Sequence, residues 1–335
     1  MKFLIFEPNW LGDVIFTTPI FKAIKTQHKD SYLGVILPKR CSDVLRHNPY
    51  VDEIIEFNEK TSHKNLIGKI KFINQLRAKK YDKVILLHRS FSRTLLCTLS
   101  GINQRAGYAY TKRAFLLTEK IPTINKDKVH KQDYYLNLIE KTGIKVNDRN
   151  CQFYLSAKER NWADKIINEN AKDTKHLIAL NLLTNWNPKN WPIDNFIELV
   201  SILKDKLGSV KFFLTSQKAD SRFLPLLKKH RNLLVDLTGK TSLLELGGLY
   251  EKMHLVISGD SGPLHLTAAV KTKYLGIYGP TDPFSTGVRN NTQGEIIFEN
   301  NSCPTPCHIR DCHKEYICMN KVDPSRVSQT ALGLL

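Results

Sequence analysis

The chain has 335 residues, of which 50 are Lys or Arg and 32 are Asp or Glu, giving a net charge of +18. This length is enough for two domains, each able to bury its own hydrophobic core. No window approaches the ~18 uninterrupted apolar residues that span a bilayer. Glu7 and Asp13 also interrupt the apolar start, so the sequence predicts a cytoplasmic protein without a signal peptide.

Strands and helical segments alternate along most of the chain, beginning with a strand at 2–6 and a helix at 14–26. Further apolar runs predict strands at 33–37, 53–57, 83–88, 176–181, 210–214, 233–235, 255–257 and 274–278. Such alternation predicts an α/β protein with parallel sheets covered by helices. A polar helical stretch at 156–175 suggests the boundary, so we expect two Rossmann-like, doubly wound domains at 1–165 and 166–335. They should face each other across a cleft that binds ligands.

The loop after the first strand is a candidate site. Gly12 would permit a sharp turn and close backbone approach, and Asp13 would lie at or near the N-cap of the following helix. Asp is a good capping residue, so a purely structural role for Asp13 is the alternative. The loop matches neither GxGxxG nor the P-loop pattern, which excludes those two nucleotide motifs.

Two arginines follow the predicted strand at 83–88. Arg89 and Arg93 could pair with phosphates or carboxylates of an acceptor, because a guanidinium binds both groups in a bidentate manner. Exposed arginines near the start of a helix are the alternative interpretation.

A rigid loop follows the strand at 176–181 and contains Thr184, Lys189 and the pair Trp191-Pro192. Lys189 could neutralise a leaving diphosphate from the carboxyl end of that strand. The alternative is a solvated loop lysine, since the chain has many basic residues.

The segment SGDSGPLHLTAAVKTKYLGIYGPTDP, at 258–283, is the most informative of the chain. It places Asp260, Ser261 and Gly262 between a strand and a short helix, where free backbone N–H groups can bind a phosphate. Asp260 would repel a phosphate, so it suits a hydroxyl group better. Phosphate donors beside a hydroxyl acceptor predict a nucleotide-sugar pocket.

Seven cysteines fall into two groups. Cys41, Cys97 and Cys151 are scattered and are expected to be buried thiols. Four others lie close together, separated by three, four and five residues: Cys303, Cys307, Cys312 and Cys318. They are weak candidates for a zinc or iron–sulfur site, since common zinc sites use paired CxxC spacing. Free thiols or a labile disulfide are the favoured alternatives.

Five segments together resemble glycosyltransferase family 9, the ADP-heptose:lipopolysaccharide heptosyltransferases. They are PNWLGDVIFTTP, KNWP, LTGKTSLLELGGL, SGDSGPLHLTAAV and YGPTDP. The resemblance covers nearly the whole chain and is strongest for the heptosyltransferase that adds the second heptose. It implies a GT-B fold with the acceptor on the first domain and the nucleotide sugar on the second. It also implies an inverting transfer that needs no catalytic metal or other cofactor.

The resemblance further assigns roles to residues. Asp13 would be the general base, while Lys189, Thr184 and the amides near Ser261 and Gly262 would stabilise the diphosphate. Asp260 would hold sugar hydroxyls, and His265 would brace its loop. The acidic ribose contact of the family falls near Asp220, although the glycine usual before it is missing.

The expected partners are ADP-heptose and the anionic core of lipopolysaccharide. Residues 1–150 contain 27 basic and 14 acidic side chains, a net charge of +13, which suits an anionic acceptor and peripheral attraction to the inner membrane. A different donor or acceptor is the first alternative. A basic nucleic-acid- or metal-binding protein is the second, although no motif supports nucleic acid.

Overall fold

The protein, described here by a computed structural model, consists of two units, Met1–Tyr154 and Leu155–Leu335. The structure describes residues 1–290, 292–299, 303–307, 309 and 312–335. Each unit contains a six-stranded sheet in which neighbouring strands are parallel. The predicted α/β class, with two Rossmann-like domains, is therefore confirmed.

The first unit alternates six strands with four helices. The strands are β1 (Lys2–Phe6), β2 (Tyr32–Leu37), β3 (Glu53–Glu56), β4 (Lys83–Leu86), β5 (Gln104–Tyr108) and β6 (Glu119–Ile121). The helices are α1 (Leu11–Gln27), α2 (Leu66–Lys79), α3 (Phe91–Leu99) and α4 (Lys131–Lys141). Short 3₁₀ helices occur at Lys39–Val44 and Ala114–Leu116.

The strand order in this sheet is β3-β2-β1-β4-β5-β6. Its central strands β1 and β4 are apolar after the lysine that begins each of them, as expected where helices cover both faces, and β4 is buried at every position. The order reverses direction between β1 and β4, which makes the carboxyl ends of these two strands the topological switch point of the unit.

The second unit repeats the scheme with six more strands. They are β7 (His176–Asn181), β8 (Val210–Thr215), β9 (Leu234–Asp236), β10 (Leu255–Gly259), β11 (Tyr274–Tyr278) and β12 (Gly294–Phe298). The longer helices are α5 (Ala157–Ala171), α6 (Ile193–Leu207), α7 (Leu224–Lys229), α8 (Leu243–Glu251), α9 (Gly262–Ala269) and α12 (Pro324–Leu334). Short helices are α10 (Pro283–Thr286) and α11 (Ile317–Asn320), with 3₁₀ turns at Asn187–Lys189, Ser221–Phe223 and Arg231–Leu233.

The order of the second sheet is β12-β11-β10-β7-β8-β9, which is the same topology as the first. Its switch point lies between β7 and β10, whose residues are almost all buried. Trp191 and Phe196 pack edge to face in the core at the start of α6. The sequence patterns following β7 and β10 are therefore held at one edge of a rigid sheet.

Two features of the fold differ from the sequence-based expectation. The division between the units falls after Tyr154, whereas the predicted division at 165/166 would cut through α5. That helix packs against α8 of the second unit: a Cβ at Gly248 would lie only 2.6 Å from the carbonyl oxygen of Glu159. The strands β5, β6 and β12 were not predicted, because they are short or contain polar residues and glycine.

Within the described part of the chain, no helix is both long and apolar enough to cross a membrane.

Candidate functional site

The loop between β1 and α1 carries the acidic residues of the first switch point. Helix α1 begins at Leu11, with Trp10 as its N-cap and no side-chain capping bond. Asp13 is therefore the third residue of the helix, which confirms its expected place near the N-cap, although Trp10 is the N-cap residue itself. The carboxylate of Asp13 is 7% exposed, and its Oδ1 lies 3.4 Å from Nζ of Lys131. It is a largely buried carboxyl group at the switch point.

Glu7 is a second carboxyl group in this region, and sequence reasoning missed its importance. It directly follows β1 and is completely buried. Thr17, one helical turn after Asp13, donates a hydrogen bond of 2.7 Å to Oε2 of Glu7. Among the described residues, Oε1 has no hydrogen-bond partner. Burial, together with the charge of Asp13, raises the pKa of Glu7 to about 8, despite the opposing effect of the Thr17 hydrogen bond.

Glu7 is therefore a neutral carboxylic acid at pH 7, close to the ionisable Asp13. The only sequence signal for it is an acidic residue immediately after an apolar strand. Gly12 lies inside the first turn of α1. It is not among the glycines of the described chain that have positive φ. The expected sharp turn at Gly12 is wrong, whereas its proposed contact with an acceptor stays a prediction.

The two arginines after β4 differ strongly from one another. Arg89 is exposed, and its guanidinium stacks on the rings of Tyr110 and Tyr134 at 4.7 and 5.3 Å. Arg93 is only 5% exposed. Its Nη1 donates to Asn9 Oδ1 at 2.9 Å, and its Nη2 pairs with Glu59 Oε2 at 2.5 Å. Arg89 can reach a ligand. The alternative interpretation of Arg93 as an exposed arginine is wrong, because Arg93 is buried and holds the loop before α1. Its proposed contact with the acceptor stays a prediction.

The second switch point holds a buried ion pair between the loops that follow β7 and β10. Nζ of Lys189 lies 2.6 Å from Oδ2 of Asp260 and 3.2 Å from its carbonyl oxygen. Nε2 of His265, on α9, lies 3.8 Å from Oδ1 of the same aspartate. Burial alone would raise the pKa of Asp260, but Lys189 and His265 lower it below its ordinary value. Asp260 is thus an ionised carboxylate held by two basic side chains.

Gly259 allows these two loops to approach each other. A Cβ at this position would lie 2.9 Å from the carbonyl oxygen of Lys189 and 3.1 Å from Cγ2 of Thr184. The Thr184 hydroxyl donates to the carbonyl of Trp186 at 2.8 Å, and its backbone N–H donates to Asn190 Oδ1 at 2.7 Å. The loop that contains Lys189 is therefore fixed internally and pressed against the end of β10.

Helix α9 begins at Gly262 directly beside this ion pair. Its N-cap is Ser261, whose side chain makes no capping bond. Instead, the Ser261 hydroxyl lies 3.1 Å from that of Ser258 and 3.4 Å from Nδ2 of Asn181. Because the side chain does not cap the helix, the first turn can offer backbone N–H groups to an anion.

Asp220 lies one strand away, after β8. It caps the 3₁₀ turn Ser221–Phe223 and forms hydrogen bonds of 2.9 and 2.8 Å with the guanidinium of Arg222. Those bonds lower its pKa to about 2. The structure brings Thr184, Lys189 and Asp260 together, whereas Asp220 has its own basic partner. Its ribose contact stays a prediction.

The cysteines are all free thiols. The predicted burial of Cys41, Cys97 and Cys151 is confirmed. In the C-terminal cluster Cys318 is buried, and the other three cysteines are partly exposed. Across the ranges that the structure describes, no group of three or more His, Cys, Asp or Glu side chains could hold a metal ion. His308 and Asp311, within the same segment, lie outside those ranges.

Two Rossmann-like units are the architecture of a GT-B glycosyltransferase, and in the second unit the start of α9 lies beside the buried Lys189–Asp260 pair. The chain belongs to glycosyltransferase family 9 (heptosyltransferase), whose family model matches residues 69–317. This membership confirms the family resemblance and favours a transferase over a nucleic-acid-binding protein.

Individual relatives agree with this assignment. The chain is 28% identical to lipooligosaccharide heptosyltransferase 2 of Haemophilus ducreyi over 85% of both chains. A family 9 glycosyltransferase structure from Veillonella parvula matches 99% of this chain and 96% of its own, with a TM-score of 0.86 and 22% identity. The structure of E. coli ADP-heptose LPS heptosyltransferase II matches 100% and 98%, with a TM-score of 0.80 and 20% identity. These two structures confirm the GT-B fold.

Proposed function

We propose that this enzyme transfers heptose from ADP-heptose to the inner core of lipopolysaccharide, with inversion at the anomeric carbon. One observation carries the proposal: each of the two switch points supplies one half of the required chemistry. The first presents the carboxylate of Asp13, and the second presents Lys189, Asp260 and the uncapped start of α9. The names of the relatives supply heptose as the sugar and lipooligosaccharide as the acceptor class.

The second unit binds the donor in this proposal. The diphosphate of ADP-heptose accepts hydrogen bonds from the backbone N–H groups of Ser261 and Gly262. It also pairs with the ammonium group of Lys189, which in the structure lies 2.6 Å from Oδ2 of Asp260. Asp260 then accepts hydrogen bonds from sugar hydroxyls, and His265 keeps its carboxylate in place. Thr184 and Asp220 complete the proposed donor contacts.

Asp13 of the first unit acts as the general base. It accepts the proton of the acceptor hydroxyl while the hydroxyl oxygen forms a bond to the anomeric carbon. The bond from that carbon to the diphosphate oxygen breaks, and its electron pair leaves with ADP. Lys189 and the α9 amides stabilise the charge that develops on the leaving diphosphate. Attack opposite to the leaving group inverts the anomeric centre.

The acceptor is an anionic core saccharide carried by a lipid. The sugar that we expect the enzyme to add is the second heptose of the inner core. Arg89 is the exposed cation that pairs with its phosphate or carboxylate groups, and Gly12 lets the acceptor approach α1. The net charge of +13 in residues 1–150 supports such a substrate and peripheral association with the cytoplasmic face of the inner membrane. Neither a metal cofactor nor nucleic acid takes part.

The test is an ADP-release assay with ADP-heptose and core acceptors that lack or contain the second heptose. We expect ADP to be released only when the acceptor that lacks the second heptose is present. Asp13→Asn should reduce turnover at least ~100-fold, the scale expected for losing a general base. The control Asp30→Asn changes an exposed aspartate of the same unit and should retain wild-type turnover.

A family 9 transferase with another donor or acceptor is the second candidate. It is favoured by the fact that the proposed donor contacts recognise the diphosphate more directly than the heptose. The same assay with other ADP- and UDP-sugars distinguishes the two. Faster release from another sugar would replace the proposed donor, and the absence of release with every core acceptor would remove the proposed acceptor.

A further inference from the structure

Helix α2 has two apolar faces, and only one of them is covered. Phe72 and Leu76 are buried in the core of the first unit. Leu66, Ile67 and Ile70 are 72%, 66% and 47% exposed in the complete chain. At 100° per residue, these three side chains occupy one arc of about 100°, on the side of the helix away from the buried pair. An ordinary surface helix would place polar residues on that arc.

The segment that precedes α2 holds this exposed face in a defined position. His63 stacks on Phe57 at 4.9 Å and contacts the ring of Phe72 edge-on at the same distance. Its Nδ1 accepts a hydrogen bond of 3.0 Å from the backbone N–H of Asn58. Asn65 caps the helix by accepting from the N–H of Gly68 at 2.8 Å. The apolar arc therefore belongs to a well-formed element.

The charges around the arc are almost all positive. Helix α2 contains four basic residues and no acidic residue. Four lysines, all but one exposed, lie within its first two turns or just before it: Lys60, Lys64, Lys69 and Lys71. The nearby acid Glu59 is paired with Arg93. An apolar arc with a cationic rim fits an anionic lipid surface, because the apolar side chains enter the interface while the lysines contact headgroups.

Other exposed apolar side chains lie at the same edge of the sheet. Helices α1, α2 and α3 all begin after the carboxyl ends of parallel strands. Trp10, before α1, is 59% exposed, and Phe91, the first residue of α3, lies 6.1 Å from the exposed ring of Phe115. Asp13 lies at this edge as well. A bilayer contacting it would bring a lipid-linked acceptor to the proposed base.

We propose that the exposed arc of Leu66, Ile67 and Ile70, with its rim of lysines, docks the protein onto anionic lipid bilayers. Only the biological purpose of this docking rests on the proposed function, since a lipid-linked acceptor requires an enzyme at the membrane. Lipid binding itself needs neither donor nor acceptor, so it can be tested separately.

The first test is flotation with vesicles of phosphatidylcholine alone or with 30 mol % phosphatidylglycerol, at about 0.1 M salt. We expect the wild-type chain to bind the anionic vesicles and to leave the neutral ones unbound. The double variant Leu66→Ser/Ile67→Ser should bind at least ~10-fold less. Leu224→Ser, which changes a 50% exposed leucine of the second unit, is the matched control and should bind like the wild type.

The charge contribution is tested by Lys64→Glu/Lys71→Glu. This variant should lose most binding to anionic vesicles, and wild-type binding should weaken as salt rises because exposed charges are screened. Absence of wild-type binding, or full binding by the Leu66/Ile67 variant, would overturn the proposal. Conversion of a wild-type dimer into a monomer by that variant, seen by light scattering, would identify the arc as a protein interface and also overturn it.

Two acceptors separate this inference from the proposed function. With a water-soluble core oligosaccharide, Leu66→Ser/Ile67→Ser should turn over like the wild type, whereas with vesicle-embedded acceptor it should be at least ~5-fold slower. Equal rates on both acceptors would contradict docking. Vesicle binding without transfer to any acceptor would contradict the proposed function and leave the docking surface supported.

Discussion

The two switch points share a strand order but place their buried carboxyl groups in opposite ionisation states. Glu7 follows β1 with one hydroxyl donor and a neighbouring acid, and its pKa is raised to about 8. Asp260 follows β10 and is almost equally buried, yet Lys189 and His265 lower its pKa despite that burial. Burial alone therefore does not decide the charge of a carboxyl group; its partners do.

This difference suits the two proposed tasks. A base that must accept a proton needs a region of low positive charge, and the Lys131 ammonium group 3.4 Å from Asp13 is half-exposed to screening solvent. A diphosphate site needs cations, and in the second unit the cation is Lys189, which is held in an ion pair with Asp260. In the proposed mechanism, the same topology thus serves as a proton-accepting site in one unit and as an anion-binding site in the other.

The largest effect should come from removing the cation of the second switch point. Lys189→Met should lower kcat/KM at least ~100-fold, because both donor binding and leaving-group stabilisation lose a charge. It also leaves Asp260 buried without its main partner, so the free energy of unfolding should fall by about 3 kcal/mol. Steady-state kinetics and urea denaturation measure the two effects. The control is Lys218→Met, which changes an exposed lysine of the same unit. An equal loss of kcat/KM in this variant would refute the proposed role of Lys189.

The next effect concerns the neutral acid of the first switch point. Below the unfolded-state value of 4.5 both states of the protein bind the Glu7 proton. Between pH 4.5 and about 8 only the folded state keeps it, so wild-type stability falls as pH rises through this window. Because glutamine does not titrate, the stability of Glu7→Gln relative to wild type should rise by about 3.5 kcal/mol between pH 5 and pH 8.

Thermal and urea unfolding at pH 5, 6, 7 and 8 would measure this gain. Glu56→Gln, which changes the exposed glutamate at the end of β3, should show little change with pH. A stability difference between Glu7→Gln and wild type that is the same at all four values would mean that Glu7 is ionised in the folded protein.

A smaller effect is expected from changing the contact between the loops that follow β7 and β10. Gly259→Ala would place a Cβ 2.9 Å from the Lys189 carbonyl oxygen, and the loop must shift to accommodate it. We expect KM for the donor to rise about 5-fold, with an unfolding free energy lower by about 1 kcal/mol. Gly333→Ala, whose Cβ would meet nothing within 4 Å, should leave KM unchanged and should not lower the unfolding free energy, because alanine is the better helix former in α12. Unchanged KM in Gly259→Ala would show that the loop position does not matter for binding.

The smallest effect should follow Lys131→Met. This lysine is half-exposed and 3.4 Å from Asp13, so solvent and salt screen its interaction. We expect a change in kcat/KM of less than ~5-fold, measured across pH 6 to 9. A loss as large as that of Asp13→Asn would make Lys131 part of the catalytic group and remove the electrostatic contrast between the two units.

Much of the fold and of the site was predictable from the sequence. Apolar strands that end at turn residues indicated both sheets, and the motifs after β7 and β10 indicated Lys189 and Asp260. These residues could be found because parallel strands bring their carboxyl ends to one edge. The sequence does not indicate which basic residue pairs with which acid, because pairing depends on the packing of separate loops.

The first switch point was harder to predict for the same physical reason. Arg93 has the sequence context of an exposed ligand-binding residue, yet Asn9 and Glu59 engage it in a buried position. Glu7 is a single acidic residue at the end of an apolar strand, and only three-dimensional burial makes it neutral. The division of the chain was misplaced by eleven residues because α5 is polar on its outside but packs against α8.

The central claim is that the second unit binds the donor while Asp13 of the first unit acts on the acceptor. Calorimetric titration of ADP-heptose into wild type, Asp13→Asn and Lys189→Met tests this claim most directly. Asp13→Asn should bind the donor with a Kd within about threefold of wild type while being inactive in transfer, because its carboxylate acts on the acceptor. Lys189→Met should bind at least ~10-fold more weakly. Loss of donor binding in Asp13→Asn, together with wild-type binding in Lys189→Met, would contradict the account.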